Sequence, residues 1–279
     1  MAVFQVNFMA ETLGRTVPLY VILPTDKKYF PGMPKREEGK PYKTLYLLHG
    51  TLGSYVDWLY GTRIQRWAEE RDLAVVMPSG ENSRYLDQAV DRYGEFVGRE
   101  LVEFTRKTFP LSREREDTYI GGLSMGGFGA MRNGLKYHET FGAIISLSGA
   151  FVMDESILVE VEHPRFPAET QAYRHLVYGE DLKQALESDR NPKYLVEQMV
   201  KENSCFPDIY MACGREDSLF EKNRNFSELL TSHQIPHVFE AGAGSHEWDF
   251  WDTYIKKALD WLPLEEAQAG KSSGNVGLK

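Results

Sequence analysis

The chain has 279 residues, with 32 Lys and Arg against 41 Asp and Glu, a net charge of −9, and 42% hydrophobic residues. That composition describes a globular chain with enough apolar residues for a sizeable core. An acidic balance without a basic run offers little attraction to phosphate backbones or anionic lipid, so nucleic acid and membrane surfaces are not expected partners.

The longest uncharged stretches, Thr118–Met131 and Phe141–Met153, contain glycine and fall short of the roughly 18 apolar residues a spanning helix needs. No apolar block follows a basic start near the N-terminus, so a secretory leader is not expected and the cytoplasm is the expected compartment. Two cysteines, Cys205 and Cys213, do not make a disulfide framework and read as small hydrophobes around a buried strand.

In chain order, Val3–Met9 and Thr16–Leu23 alternate in part and are joined by Glu11-Thr12-Leu13-Gly14, which predicts an antiparallel hairpin. Thr44–Leu48 and Leu73–Met77 are short continuous apolar runs, the pattern of strands buried on both faces. Between them, Asp57–Arg71 has helical spacing, with Trp58, Leu59, Ile64 and Trp67 available to one side. A helix over Gly94–Phe109 precedes a strand at Thr118–Ile120, and a helix over Gly127–Tyr137 precedes a strand at Phe141–Leu147. Strand Asp208–Cys213, helix Ser218–Ser232, strand His237–Glu240 and helix Glu247–Leu262 complete the alternation. This rhythm predicts an α/β fold with a mostly parallel central sheet and helices on both faces. The segment 151–206, rich in charge and proline, breaks the rhythm and reads as a small helical cap inserted in a single domain over 1–264. Residues 265–279 read as a flexible tail.

Gly122-Leu123-Ser124-Met125-Gly126 follows a strand and opens a helix, the context in which a GxSxG turn exposes a nucleophilic serine. Side chains at 122 and 126 would collide with the strand or the helix. The helix N-terminus behind Ser124 offers backbone donors to an oxyanion, Met125 N–H first. A serine hydroxyl needs a base, and the base an orienting acid. Of seven histidines, His246 lies in a small-residue loop after the last strand and before the last helix. Asp217 follows strand 208–213, with Glu216 as its competitor, and the order Ser124, Asp217, His246 is that of α/β hydrolases. The second oxyanion donor is expected from the loop after the first buried strand, at Thr51 or, failing that, Leu52, with Gly50 and Gly53 admitting close approach of substrate. His49, ending that strand, reads as a structural hydrogen-bonding residue. Trp248, Phe250 and Trp251 read as core packing of the last helix. The residue four after His246 is Phe250, and Pro236 separates His233 from His237, so neither pair forms a helical metal site and no metal is expected.

These residues resemble the esterase D-like α/β hydrolases, and within them the bacterial tributyrin esterases. The likeness runs from Leu47-Leu48-His49-Gly50 through Gly122–Gly127 and Cys213-Gly214-Arg215-Glu216-Asp217 to Gly244-Ser245-His246-Glu247-Trp248-Asp249-Phe250-Trp251-Asp252. The resemblance implies the α/β-hydrolase fold and a cofactor-free serine carboxylesterase acting on short acyl chains through Ser124, His246 and Asp217. Related S-formylglutathione hydrolases usually carry a cysteine in the loop matching Thr51-Leu52-Gly53, and this chain has none. Feruloyl and acetylxylan esterases share the motifs, and the mycolyltransferases are distant relatives. A small-molecule ester is the expected partner, and a homo-oligomer stays compatible with the sequence.

Overall fold

The computed structural model describes residues 1–164, 169–265 and 267–276. The insertion at 151–206 therefore includes four residues, and the tail four more, that lie outside the described residues.

Eight strands form one sheet in the order β1-β2-β4-β3-β5-β6-β7-β8. β1 (Ala2–Ala10) and β2 (Arg15–Leu23) make the hairpin, in register from Ala2 opposite Leu23 to Ala10 opposite Arg15. β2 pairs antiparallel with β4 (Ala74–Pro78). From β4 onward every pairing is parallel, through β3 (Thr44–Leu48), β5 (Thr118–Leu123), β6 (Ala143–Leu147), β7 (Asp208–Gly214) and β8 (Val238–Gly242). This is the α/β-hydrolase fold expected from the sequence.

The continuous apolar runs are explained by two cores, one on each face of the sheet. Tyr46 and Leu48 of β3 join the core containing Phe128, Met131 and Phe226. Leu45 and Leu47 point the other way, to Trp58, Trp67, Trp251 and Ile255. Alternate side chains of a strand face opposite sides, so only a strand covered twice is apolar throughout.

The helices are α1 (Asp57–Gly61), α2 (Ile64–Glu69), α3 (Tyr93–Glu95), α4 (Leu101–Thr108), α5 (Met125–Lys136), α6 (Gln171–Tyr178), α7 (Leu182–Leu186), α8 (Pro192–Lys201), α9 (Phe220–Ser232) and α10 (Trp248–Trp261). A π-wound stretch, Phe96–Glu100, joins α3 to α4. Two differences from the expected helices matter. The single helix expected over 57–71 is broken at Thr62, which is extended at φ −139° and ψ 174°. The cause is α10: a Cβ on Gly61 would lie 2.5 Å from the Trp248 ring, and Asp252 accepts hydrogen bonds from Arg63 N and Nε, both at 2.8 Å. The elbow helix starts at Met125, two residues before the expected Gly127, because the turn after β5 is completed by Ser124 alone.

Among its described residues the insertion holds a 3-10 turn, Glu155–Leu158, and three short α-helices, α6 to α8. Residues 267–276 lie against the body, with Ala267 N donating to Glu70 O and Lys271 N to Lys28 O. Among the described residues, no helix is long and apolar enough to cross a membrane.

Candidate active site

Ser124 sits between β5 and α5 at φ 53° and ψ −116°, a conformation that costs an L-residue on the order of 1–3 kcal/mol. The surroundings hold it there. Ser124 N donates to Leu147 O at 2.9 Å, and Ser124 O accepts from Phe128 N and Ala150 N at 3.0 and 2.9 Å. A Cβ on Gly122 would stand 2.4 Å from the Gly126 backbone, and one on Gly126 would stand 2.3 Å from Leu48 O. Both flanking glycines are therefore required, for the collisions with helix and strand that the motif implies.

The loops after β7 and β8 bring the other two groups over the serine. His246 Nε2 lies 3.0 Å from Ser124 Oγ, and Nδ1 lies 2.8 Å from Asp217 Oδ2. Asp217 Oδ1 accepts from Leu219 N at 2.8 Å. Burial alone would raise the Asp217 pKa, but hydrogen bonds from His246, Leu219 N and Ser148 outweigh it and hold the carboxyl below its ordinary value. Ser148 accepts the Trp251 indole N–H at 3.2 Å, and the Trp251 ring stands edge-on to His246 at 4.9 Å.

Glu216, the competing acid, does not reach His246. Its Oε2 accepts from Gly244 N at 2.7 Å, while Arg215 N and Glu216 N donate to Gly242 O and Gly244 O. Glu216 thus clasps the acid-bearing loop to the histidine-bearing loop. A side chain at Gly214 would prevent this, since its Cβ would lie 2.0 Å from Gly244 O.

On the other side of Ser124 lies the loop 49–53. His49 is buried, with Nε2 accepting from Gly80 N at 2.8 Å and Nδ1 at 2.7 Å from Gly50 O. Burial lowers its pKa, which keeps the ring neutral and structural. Leu52 has a positive φ of 66°, and its N–H is taken by Asn82 Oδ1 at 2.8 Å. Among the described residues Thr51 N–H meets no acceptor, and Met125 N–H, first in its helix, has none within the helix. Gly50 and Gly53 were expected to admit substrate. Both line the cleft over Ser124, and in addition a Cβ at 50 would strike Leu123 at 2.7 Å, and one at 53 would strike the Asp57 carboxylate at 2.1 Å. These glycines fit the loop to its own neighbours.

A cleft of about 960 Å³ opens over Ser124, with Trp248 and Trp251 on one wall and Val152, Ile157 and Tyr178 of the insertion on another. The expectation that Trp248 serves packing alone needs correction: α10 begins at Trp248, two residues after His246, so its first turn reaches the cleft. Phe250 is core, stacked on Tyr254 at 4.1 Å. Of the cysteines, Cys213 is buried and burial pushes its thiol up to about 12, whereas Cys205 is exposed and is no core residue.

A family model described as "Putative esterase" matches residues 10–262. The chain belongs to this esterase family. It is similar to an acetyl esterase of Caldicellulosiruptor saccharolyticus, 44% identical over 94% of this chain and 98% of the other. Two Staphylococcus aureus structures, each 31% identical and covering 94% of this chain and 98% of theirs, superpose with TM-scores of 0.80 and 0.78. They are the fluorophosphonate-binding serine hydrolase F with substrate bound and the S-formylglutathione hydrolase FrmB. A ferulic acid esterase, 21% identical over 94% of this chain and 97% of its own, has a TM-score of 0.72 and shares the fold. The protein is a serine hydrolase of carboxylic esters.

The sequence reading missed Asn82 and Ser148. Each acts across the fold on a group far away in the chain, and no local pattern marks it. Glu216 was visible as a carboxylate beside Asp217, but its clasp needs the loop after β8.

Proposed function

We propose that the protein hydrolyses short-chain acyl esters through Ser124, His246 and Asp217. Ser124 Oγ attacks the acyl carbonyl as its proton passes to His246 Nε2. The N–H groups of Thr51 and Met125 hold the tetrahedral oxyanion, and Asp217 keeps Nδ1 protonated and supports the imidazolium. The leaving alcohol takes the proton from His246. Water then attacks the acyl-enzyme by the same route and releases the acid.

The observation that carries this reading is the placement of His246 within hydrogen-bond reach of both Ser124 and Asp217. The occupied Leu52 N–H favours Thr51 as donor, and similarity to an acetyl esterase favours a short acyl group. A second reading, ferulate or acetylxylan as substrate, draws on Trp248, Trp251 and Tyr178 beside the cleft. Glutathione thioesters are a third, drawing on similarity to FrmB but lacking the loop cysteine. Two free cysteines, one of them exposed, fit work in a reducing cytoplasm.

The test is a set of initial rates on p-nitrophenyl acetate, butyrate and octanoate, methyl ferulate, acetylated xylan and S-formylglutathione, with wild type and Ser124→Ala. Rates should fall steeply beyond butyrate, and the variant should lose on the order of 10³-fold or more while staying folded. A variant that keeps most of its activity overturns the nucleophile; dominant turnover of ferulate, xylan or the thioester moves the substrate to that class.

A further inference from the structure

Arg84 belongs to the turn after β4, where it and Tyr85 both have positive φ, 54° and 56°. Two adjacent non-glycine residues in this region are strained, and they split in direction. Tyr85 goes inward, fully buried, with its hydroxyl donating to His49 O at 3.0 Å. Arg84 is left on the wall of the cleft that contains Ser124.

The guanidinium is held by aromatic rings rather than by acids. Its Cζ lies 5.8 Å from the Phe128 ring centroid and 5.7 Å from that of Tyr178. Its Nε and Nη1 are buried without a hydrogen-bond partner, and it forms no ion pair with any described carboxylate. The neighbouring Tyr173 phenol donates its proton to Asn82 O at 2.6 Å, and its oxygen, a neutral acceptor, faces the guanidinium. Arg174, a second guanidinium on this cleft, donates Nη1 to Ile157 O at 2.9 Å and likewise has no carboxylate partner among the described residues. Asp57, Glu169 and Glu247 also line the cleft. Asp57 accepts from Ser54 N at 3.0 Å and Glu247 from Ser245 N at 3.0 Å. Two other enclosed guanidiniums have an acid, Arg132 meeting Asp189 at 3.1 Å and Arg71 meeting Asp260, whereas Arg106, also without an acid, is satisfied by Ser112 O at 3.1 Å and Thr118 Oγ1 at 2.7 Å.

Removing a guanidinium from water without an anion is costly, and its planar fork matches the two oxygens of a carboxylate or a phosphate. We propose that Arg84, supported by Arg174, forms an anion subsite in the cleft, so that the preferred substrates are esters bearing a carboxylate besides the ester group. The inference rests on the esterase reading of Ser124 and adds the charge of the substrate to it. The chain's net charge of −9 repels anions at long range, so such a preference would have to come from these local guanidiniums.

Two matched pairs of esters test this by pH-stat rates: 4-acetoxybenzoate against methyl 4-acetoxybenzoate, with the carboxylate in the alcohol part, and monoethyl succinate against ethyl butyrate, with it in the acyl part. Wild type should favour the anion in at least one pair by about tenfold in kcat/KM, and Arg84→Gln should reduce that ratio by at least as much, through KM. The pair that responds shows which end Arg84 grips. A ratio within a pair cancels any general loss of folded enzyme, and Arg84→Lys should restore part of it. Wild-type ratios at or below one in both pairs, or ratios that Arg84→Gln leaves unchanged, overturn the subsite. Hydrolysis of the neutral members that Ser124→Ala abolishes would leave the esterase reading standing in that event, whereas no hydrolysis of any ester by wild type would remove both.

Discussion

Ser124, Asp217 and His246 stand on loops that leave the carboxyl ends of β5, β7 and β8, while the facing wall of the cleft comes from the insertion between β6 and β7. The helices of the two regions begin differently. In the insertion, α6, α7 and α8 are capped by their own side chains, Thr170, Asp181 and Asn191 accepting from Tyr173 N, Gln184 N and Lys193 N. The helices that follow Ser124, Asp217 and His246, namely α5, α9 and α10, have no side-chain cap. Ser124 leaves the α5 N-terminus open toward the cleft, and Leu147, Leu48 and Gly244 position the loops by backbone contact. The side that carries Ser124, Asp217 and His246 is therefore fixed by the sheet, whereas the insertion is built from locally stabilised pieces with half-exposed faces. Chemistry should be sensitive to small changes on the first side and selectivity to changes on the second.

The sharpest test on the sheet side is Asp217→Asn, which keeps the shape but donates where His246 needs an acceptor. Turnover should fall on the order of 10³-fold or more, read as kcat on p-nitrophenyl acetate. The same variant has a pH signature. The folded carboxyl ionises more readily than the unfolded one, so Asp217 contributes stability that is full above about pH 4 and is lost as pH falls through its lower folded value. Melting temperature should thus drop more steeply below pH 4 in wild type than in Asp217→Asn; parallel curves would mean that the carboxylate is not held ionised by its neighbours.

Gly126→Ala should follow in size. Its methyl would meet Leu48 O at 2.3 Å, backbone against backbone, so stability should fall by about 3 kcal/mol in denaturant unfolding. A near-neutral result would show that the elbow can yield.

Asn82→Ala comes next. It releases Leu52 N–H without touching the reactive side chains, so kcat should drop about tenfold with little change in KM, because the oxyanion loop loses an anchor and not a substrate contact. An increase in KM alone would place Asn82 in substrate binding instead.

The smallest effect is expected across the cleft. Tyr178→Ala opens the insertion wall and should raise the relative rate on octanoate over acetate by about threefold while acetate turnover survives. Equal losses on both esters would contradict the division of labour between the two regions.

How much of this was legible follows the same division. The buried strands announced themselves as continuous apolar runs, and the turn of β1 and β2 by Gly14, whose φ is +60°. The glycines around Ser124 were readable because the collisions they avoid occur within the motif or one strand away. The end of α1 was only partly readable: Gly61-Thr62 is a stop followed by a cap, with Thr62 Oγ1 accepting from Ile64 N at 3.2 Å, but the groups that enforce the break, Trp248 and Asp252, lie about 190 residues downstream.

The sequence by itself determined the order Ser124, Asp217, His246, the doubly covered strands and the elbow, because each depends on local geometry or on one-dimensional order along the chain. Only the tertiary structure decided that Glu216 clasps two loops while Asp217 meets His246, that Asn82 occupies Leu52 N–H and leaves Thr51 open, and that Arg84 faces the cleft without an acid. Those outcomes depend on which backbone groups and charges are already partnered, and partners are assigned by packing between segments that the chain order keeps far apart.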